Sequence, residues 1–203
     1  MQAEKIVADA KAYVSFIFKE KISGGRSFHN LGHVFEVLYA AELIAAESNV
    51  SETELFIVKL AALFHDSGYL QTYTGHEEAG MAIARNFLQQ NDCPETIIIE
   101  VEKAILATRL PQTPASLCGE ILCDADLFHF TRPDYPKYER AIRKEFIEYM
   151  NFQYTDAEWN NKNIEFLEQH CYFTGYGKTI LQQFKQVNIN RLKIFSADNK
   201  RSY

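Results

Sequence analysis

Leu55-Phe-Ile-Val-Lys-Leu-Ala-Ala-Leu-Phe-His65-Asp66 is the stretch on which the reading of this chain turns. Apart from Lys59 it is apolar from Leu55 to Phe64. A helix that is apolar nearly all round belongs in a core. Yet this one runs into an imidazole and a carboxylate. Asp is almost never fully buried unless it is paired or coordinated. An uncompensated buried carboxylate takes up a proton rather than stay charged. A divalent cation resolves the conflict, and His with Asp is a suitable ligand pair for one. Neighbouring helix residues diverge by about 100°, so both side chains can still converge on an ion lying between their directions. Two ligands alone hold a metal weakly, so other helices must contribute.

Working outward, Ser51-Glu-Thr-Glu54 is a capping box that starts this helix, which is expected to run to about Ser67 with Gly68 as its stop. Upstream, apolar residues recur at helical spacing over about 4–20 (Ile6, Ala10, Tyr13, Val14, Ile17) and about 30–48 (Val34, Val37, Leu38, Ala41, Ile44). Downstream, Thr74-Gly-His-Glu77 reads as a second capping box opening a helix over about 75–90. Pro94 and Pro114 sit well as first residues of helices over about 94–108 and 114–130. A helix over about 135–150 follows, and Thr155-Asp-Ala-Glu158 caps another over about 156–170. Gly175 and Gly177 are expected to break the chain before a last helix over about 178–195, with a frayed tail from Ser196 to Tyr203. Alternation of period two is weak throughout. The fold class is all-α, and residues 1–203 are expected to form a single multi-helix bundle with short loops.

Composition narrows the function. At 203 residues the chain is long enough for a substantial core. Its net charge of −6 argues against a nucleic-acid polymer as partner, but it does not exclude a small anionic substrate held by a few local cations. No apolar stretch approaches the roughly 20 residues of a membrane span, and the N-terminus has no signal-peptide core, so a cytoplasmic protein is expected. Cys93, Cys118, Cys123 and Cys171 show no Cys-x-x-Cys spacing and read as reduced thiols, three of them as small core residues. Oligomeric state is left open, a homo-oligomer included.

Further ligands come from two other segments. His33 heads the apolar stripe that continues through Val37, Ala40, Ala41 and Ile44, where a polar ring needs a partner; the alternative is a core histidine bonded to a carbonyl. In Glu120-Ile-Leu-Cys-Asp-Ala-Asp-Leu-Phe-His-Phe130, Asp126 shares a face with Leu122 and Phe130 and reads as inward. Asp124 shares a face with Glu120 and reads as an acid behind the ligands or in solvent. Two imidazoles and two carboxylates make a mixed N/O site, suited to Mn, Fe, Co, Ni, Zn or Mg, with positions left open for water and substrate. Such an ion acidifies a water and polarises a phosphoryl oxygen.

Around this set stand weaker candidates. His29 lies four residues before His33; it reads either as a substrate contact or general acid, or as a capping and packing residue. Arg26, after Gly24-Gly25, carries a fork of donors that matches a phosphate, or is a surface cation. Glu77 is first explained by its capping box. Thr108 and Arg109 could line a pocket mouth, though Arg109 at a helix C-terminus is equally explained by the dipole. Arg140, Arg143 and Lys144, interleaved with Glu139 and Glu145, read as a solvated face.

The order His33, His65-Asp66, Asp126 on an all-α chain resembles the HD superfamily of metal-dependent phosphohydrolases. Four segments carry the resemblance. Arg26-Ser-Phe-His-Asn-Leu-Gly-His33 resembles the Arg-x-Tyr-His-Asn-x-x-His opening of an uncharacterised branch. Leu60 to Asp66 is similar to the segment that names the superfamily. Cys123-Asp-Ala-Asp-Leu127 is similar to its last-ligand segment, and Arg140 to Phe146 to a later helix of the same branch. The resemblance implies His33, His65, Asp66 and Asp126 as ligands of one divalent metal. It implies hydrolysis of a phosphomonoester or phosphodiester, often of a nucleotide. Beside it, Asp66 is expected to accept the water's proton as well, and Arg26, His29 and Arg109 to face the substrate. Some members bind two metals through extra histidines; here His76 follows, but its helix gives no second His and His129 comes only three residues beyond Asp126, so the two-metal pattern is incomplete and one metal is expected. Two alternatives remain: a non-catalytic nucleotide-sensing or partner-binding module with a structural metal, and an iron-dependent oxygenase, which would need a second metal.

Overall fold

The apolar stretch forms a helix, α3 (Glu52–Phe64), whose Val58, Leu60, Ala61, Ala62, Leu63 and Phe64 are fully shielded from solvent. The structure, a computed structural model, describes residues 2–21 and 26–201. Around α3 pack α1 (Gln2–Lys21), α2 (Leu31–Ala46), α4 (His76–Gln90), α5 (Glu95–Ala107) and α6 (Leu117–Asp126). Three more helices follow: α7 (Tyr135–Met150), α8 (Asp156–Gln169) and α9 (Gln182–Arg201). Among the described residues there is no strand, and none of their helices is long and apolar enough to cross a membrane. The all-α expectation is met.

The apolar residues fall into two clusters. The larger is built by α1 to α6. The smaller joins Leu127 and Phe130, just after α6, to Tyr135 of α7, Leu167 of α8, and Ile189 and Leu192 of α9. Asp124 ties the α8–α9 connection to α6. It accepts from the Phe173 N–H (2.8 Å), the Thr174 N–H (2.9 Å) and the Thr174 hydroxyl (2.6 Å). It is fully buried, so the solvated alternative for Asp124 falls away.

Local signals decide most boundaries. The Ser51 and Thr155 capping boxes both form, each closing two reciprocal bonds. The Thr74 box does not. The chain instead turns at Gly75, in the left-handed region at φ 73°, and α4 begins at His76 with no side-chain cap. Pro94 and Pro114 precede their helices instead of opening them, and Ser116 caps α6 by accepting from the Gly119 N–H. That helix ends at Asp126, and Leu127–Thr131 is a separate 3-10 turn. Gly175 and Gly177 do not break the chain: helical residues run from Gly175 through a π turn, Gly177–Leu181, into α9, which continues to Arg201. Gly24, Gly25, Ser202 and Tyr203 lie outside the described residues. Cys93, Cys118 and Cys123 are buried free thiols, and Cys171 is exposed.

Helix α3 stops at Phe64, short of Ser67. Asp66 leaves the helical region at φ −96°, ψ 0°, and a 3-10 turn, Ser67–Leu70, follows. Two glycines bring α4 against this turn. A Cβ on Gly68 would collide with the His76 carbonyl oxygen and lie 2.6 Å from the Gly80 nitrogen, and one on Gly80 would lie 3.1 Å from the Phe64 and His65 carbonyl oxygens. The approach carries His76 and Glu77 to the His65-Asp66 end of α3. Gly68→Ala is therefore expected to lower stability by about 2–3 kcal/mol, as overpacking against rigid backbone does. A thermal melt should fall by roughly 5–10 °C; an unchanged melt would mean the crossing is looser than drawn.

Candidate metal centre

Three helix ends deliver the predicted ligands to one point. His33 sits in the first turn of α2, whose N-cap Asn30 accepts from the Gly32 and His33 N–H groups. His65 closes α3, and Asp66 follows it. Asp126 ends α6. Ligand atoms of His33, His65 and Asp66 all lie within 4.8 Å of one another. Asp126 Oδ1 is 3.1 Å from His33 Nε2 and 3.6 Å from His65 Nε2. Asp66 Oδ1 is 3.3 Å from His65 Nε2, and Asp66 Oδ2 is 3.6 Å from His33 Nε2.

The donor set fits a divalent ion. His65 Nδ1–H donates to the Ala62 carbonyl (2.8 Å), which fixes the tautomer and turns the Nε2 lone pair toward the carboxylates. Both His65 Nε2 and Asp66 Oδ2 are shielded from solvent and have no hydrogen-bond partner. Buried polar atoms are nearly always paired, so two orphans facing one point mark a place for a cation. Electrostatics agree. Burial would raise the Asp66 carboxyl, but neighbouring His65 together with the charges of His29 and His33 outweighs it and holds Asp66 well below the usual carboxylate range. Burial also opposes ionisation of Asp126, and the hydrogen bond from His33 with the nearby charges of His65 and His33 reverses it. Burial would lower the His65 imidazole, but Asp66 and Asp126 raise it well above its ordinary value. The cluster demands positive charge, which a metal supplies in place of protons.

Other polar groups surround this point. His76 Nε2 is 3.8 Å from Asp66 Oδ1, and its ring stacks on Tyr69 at 3.8 Å. His129 donates through Nδ1 to the Asp126 carbonyl (3.1 Å). Burial and the neighbouring His33 push its pKa down to about 3, so it is neutral. Glu77, free of any capping box, is buried beside the centre, with Oε2 3.6 Å from His76 Nδ1 and 4.0 Å from Arg109 Nε.

His29 is held by Glu145. Glu145 Oε2 accepts from His29 Nδ1 (2.6 Å), while Oε1 accepts from the Phe28 N–H (2.6 Å) and the His29 N–H (3.0 Å). Glu145 is fully buried, which corrects the reading of its helix face as wholly solvated. Its signal was present in the sequence: it falls in the stripe Tyr138, Ile142, Glu145, Tyr149, a carboxylate at apolar spacing. His29 Nε2 lies 3.1 Å from the Tyr69 hydroxyl.

A cavity of about 650 Å³ opens from the centre. Asp66, Asp126, His29, Glu77, Thr108 and Arg109 all line it. Arg109 keeps ion pairs with Glu77 and Glu78 at its edge. Arg26 is not on its wall. Its Nη2 donates to the Tyr69 carbonyl (2.8 Å), and its guanidinium lies over the rings of Tyr149 (4.4 Å), Tyr69 (5.0 Å) and Tyr73 (5.3 Å). Its Nε and Nη1 are shielded from solvent and have no hydrogen-bond partner.

No curated protein matches the chain. Two solved structures share its fold. One is a predicted HD superfamily hydrolase from an uncultured Thermotogales bacterium: TM-score 0.62 at 23% identity, over 94% of this chain and 91% of that one. The other is the Lin1889 protein from Listeria innocua: TM-score 0.63 at 20% identity, over 95% and 96%. The HD domain family model matches residues 30–131, half of the chain, and that span contains His33, His65, Asp66 and Asp126. The chain belongs to the HD domain family.

Proposed function

We propose that the protein is a metal-dependent phosphohydrolase that cleaves a phosphomonoester or phosphodiester of a small metabolite, a nucleotide among the candidates. Family membership and the His33, His65, Asp66 cluster support a metal-dependent hydrolase. The observation that carries the finer reading is that Asp66 and Asp126 line a large cavity that also presents His29 and Arg109. His33, His65, Asp66 and Asp126 would hold one divalent ion. Such an ion, when bound, acidifies a water and polarises a phosphoryl oxygen.

The chain's own groups supply the rest. Asp66 has two oxygens; one would hold the ion, and the other would be free to take the proton that the attacking water gives up. Glu145 fixes the His29 tautomer through Nδ1, so that Nε2 faces the cavity and can hold a proton for the leaving oxygen. Arg109 offers a cation to the phosphate. Arg26 positions the wall: it pins Tyr69, and Tyr69 in turn bonds His29 Nε2.

The test is a screen of phosphomonoesters, phosphodiesters and nucleotides with added Mn, Co, Ni, Zn or Mg. Metal-dependent release of phosphate or of a phosphomonoester is expected. His29→Ala should cut the rate by about 10²-fold or more, as loss of a general acid does, with metal affinity unchanged. Binding of nucleotides without any turnover, whatever the metal, would favour the sensing module instead.

A further inference from the structure

The cavity is far larger than a phosphate needs, at a volume that whole small-molecule ligands occupy. What it lacks is positive charge. Among the described residues, Arg109 and Lys162 are the only arginine and lysine on its wall. Arg109 is already held by Glu77 and Glu78. Lys162 is exposed, and its ammonium lies over the Tyr154 ring at 5.1 Å. Arg26 is off the wall, among its tyrosines.

The other device that binds phosphates, the start of a helix, is taken as well. Helix α4 opens on the cavity at Gly75 and His76. A helix N-terminus attracts anions, but the first turn of α4 carries Glu77 and Glu78, whose carboxylates meet the positive end of the dipole. Glu139 of α7 adds another carboxylate to the wall, and it accepts from the Trp159 indole N–H. A divalent ion, when bound, offsets Asp66 and Asp126, while Glu77 and Glu139 offset Arg109 and Lys162. The wall is then formally neutral. A phosphomonoester brings about two negative charges near neutral pH. Arg109 can turn to that first phosphate, and no cation of the wall remains for a second.

We propose that the cavity selects an ester bearing a single phosphate group and turns away compounds bearing a second, with Glu77 and Glu139 as the residues that set this limit. The proposal rests on the phosphohydrolase reading, but its binding test needs no turnover. Size does not set the limit, since the volume would admit a second phosphate. Charge does. Sites for di- and triphosphates gather arginine forks, lysines and open helix N-termini, and here each of these is matched by a carboxylate or a ring. Among nucleotides, this means nucleoside monophosphates and not triphosphates.

The experiment titrates manganese-loaded full-length protein by calorimetry with phenylphosphonate and with 1,4-phenylenediphosphonate. Their carbon–phosphorus bonds resist hydrolysis, and the ring holds the two phosphonates too far apart to chelate one ion. The diphosphonate should bind about tenfold more weakly, the scale of charge repulsion across a cavity at the effective dielectric of a protein. Raised ionic strength should narrow the gap by screening. Glu139→Gln keeps the acceptor for Trp159 and removes a negative charge, so the ratio should fall to about threefold or less; Glu77→Gln should narrow it too. Equal affinities, tighter binding of the diphosphonate, or a ratio that neither salt nor Glu139→Gln moves would each overturn the proposal. The salt series in the wild type needs no variant to fold. A preference for phenylphosphonate with turnover of no ester sinks only the phosphohydrolase reading. Hydrolysis of phenyl phosphate and 1,4-phenylene bisphosphate at similar kcat/KM sinks only the selectivity. Binding of neither phosphonate would overturn both.

Discussion

Asp66→Ala should abolish turnover, by roughly 10³–10⁴-fold or more, because it removes both a ligand and the proton acceptor. The same variant should lose stabilisation by metal. An ion at a hundred times its Kd stabilises the folded state by about 2.7 kcal/mol, which for a chain of this length raises the melt by roughly 5–10 °C. Manganese should therefore raise the melting temperature of the wild type and leave Asp66→Ala and His65→Ala unmoved. Asp124→Asn is the contrast. Asp124 lies two residues from Asp126 and is fully buried, but its oxygens are spent on Phe173 and Thr174. Its replacement should cost stability and spare the response to metal. If Asp66→Ala kept that response, the ligand set would be wrong.

Glu145→Ala should cost about 3–5 kcal/mol, the largest loss expected from one side chain away from the metal. It strands the His29 imidazole and two backbone N–H groups, all of which Glu145 now satisfies. Thermal melts should drop by roughly 6–20 °C. The pH dependence has a definite sign. Burial would raise the Glu145 carboxyl, but the hydrogen bond and charge of His29, with the two N–H donors, hold it below its ordinary 4.5. A carboxyl lowered on folding contributes stability that is present above its unfolded pKa and is lost as pH falls through the folded one. Glu145→Gln should therefore flatten the loss of stability below pH 4.5. An acid limb identical to that of the wild type would mean that Glu145 is not charged in the folded protein.

The candidate metal ligands were legible in the sequence because each is a polar residue in an apolar helical setting, and that conflict has few resolutions. His33 at the head of α2, His65-Asp66 at the end of α3 and Asp126 at the end of α6 all came from this one argument, joined by the resemblance of their order. The same argument applied to Glu145 would have found it. Interleaved basic residues hid it: Arg143, two residues away, really is tied to Asp156 and the Tyr154 carbonyl. Arg26 was legible as important but not as to role, since a guanidinium that suits phosphate suits aromatic faces equally. Glu77 was misread because Thr-Gly-His-Glu satisfies the capping pattern, while Gly75 takes a left-handed turn that releases both ends of the box. The part of the cavity lined by α7 and α8 depends on how α7 packs on the 3-10 turn after α6 and α8 on α9, a tertiary arrangement that no local spacing encodes.

The most direct test of the account is a crystal of the protein grown with manganese and measured at a wavelength where manganese scatters anomalously. The account predicts one strong peak about 2.0–2.3 Å from Nε2 of His33 and His65 and from carboxylate oxygens of Asp66 and Asp126. No peak at that point with millimolar manganese present, or a peak held by other residues, would contradict it.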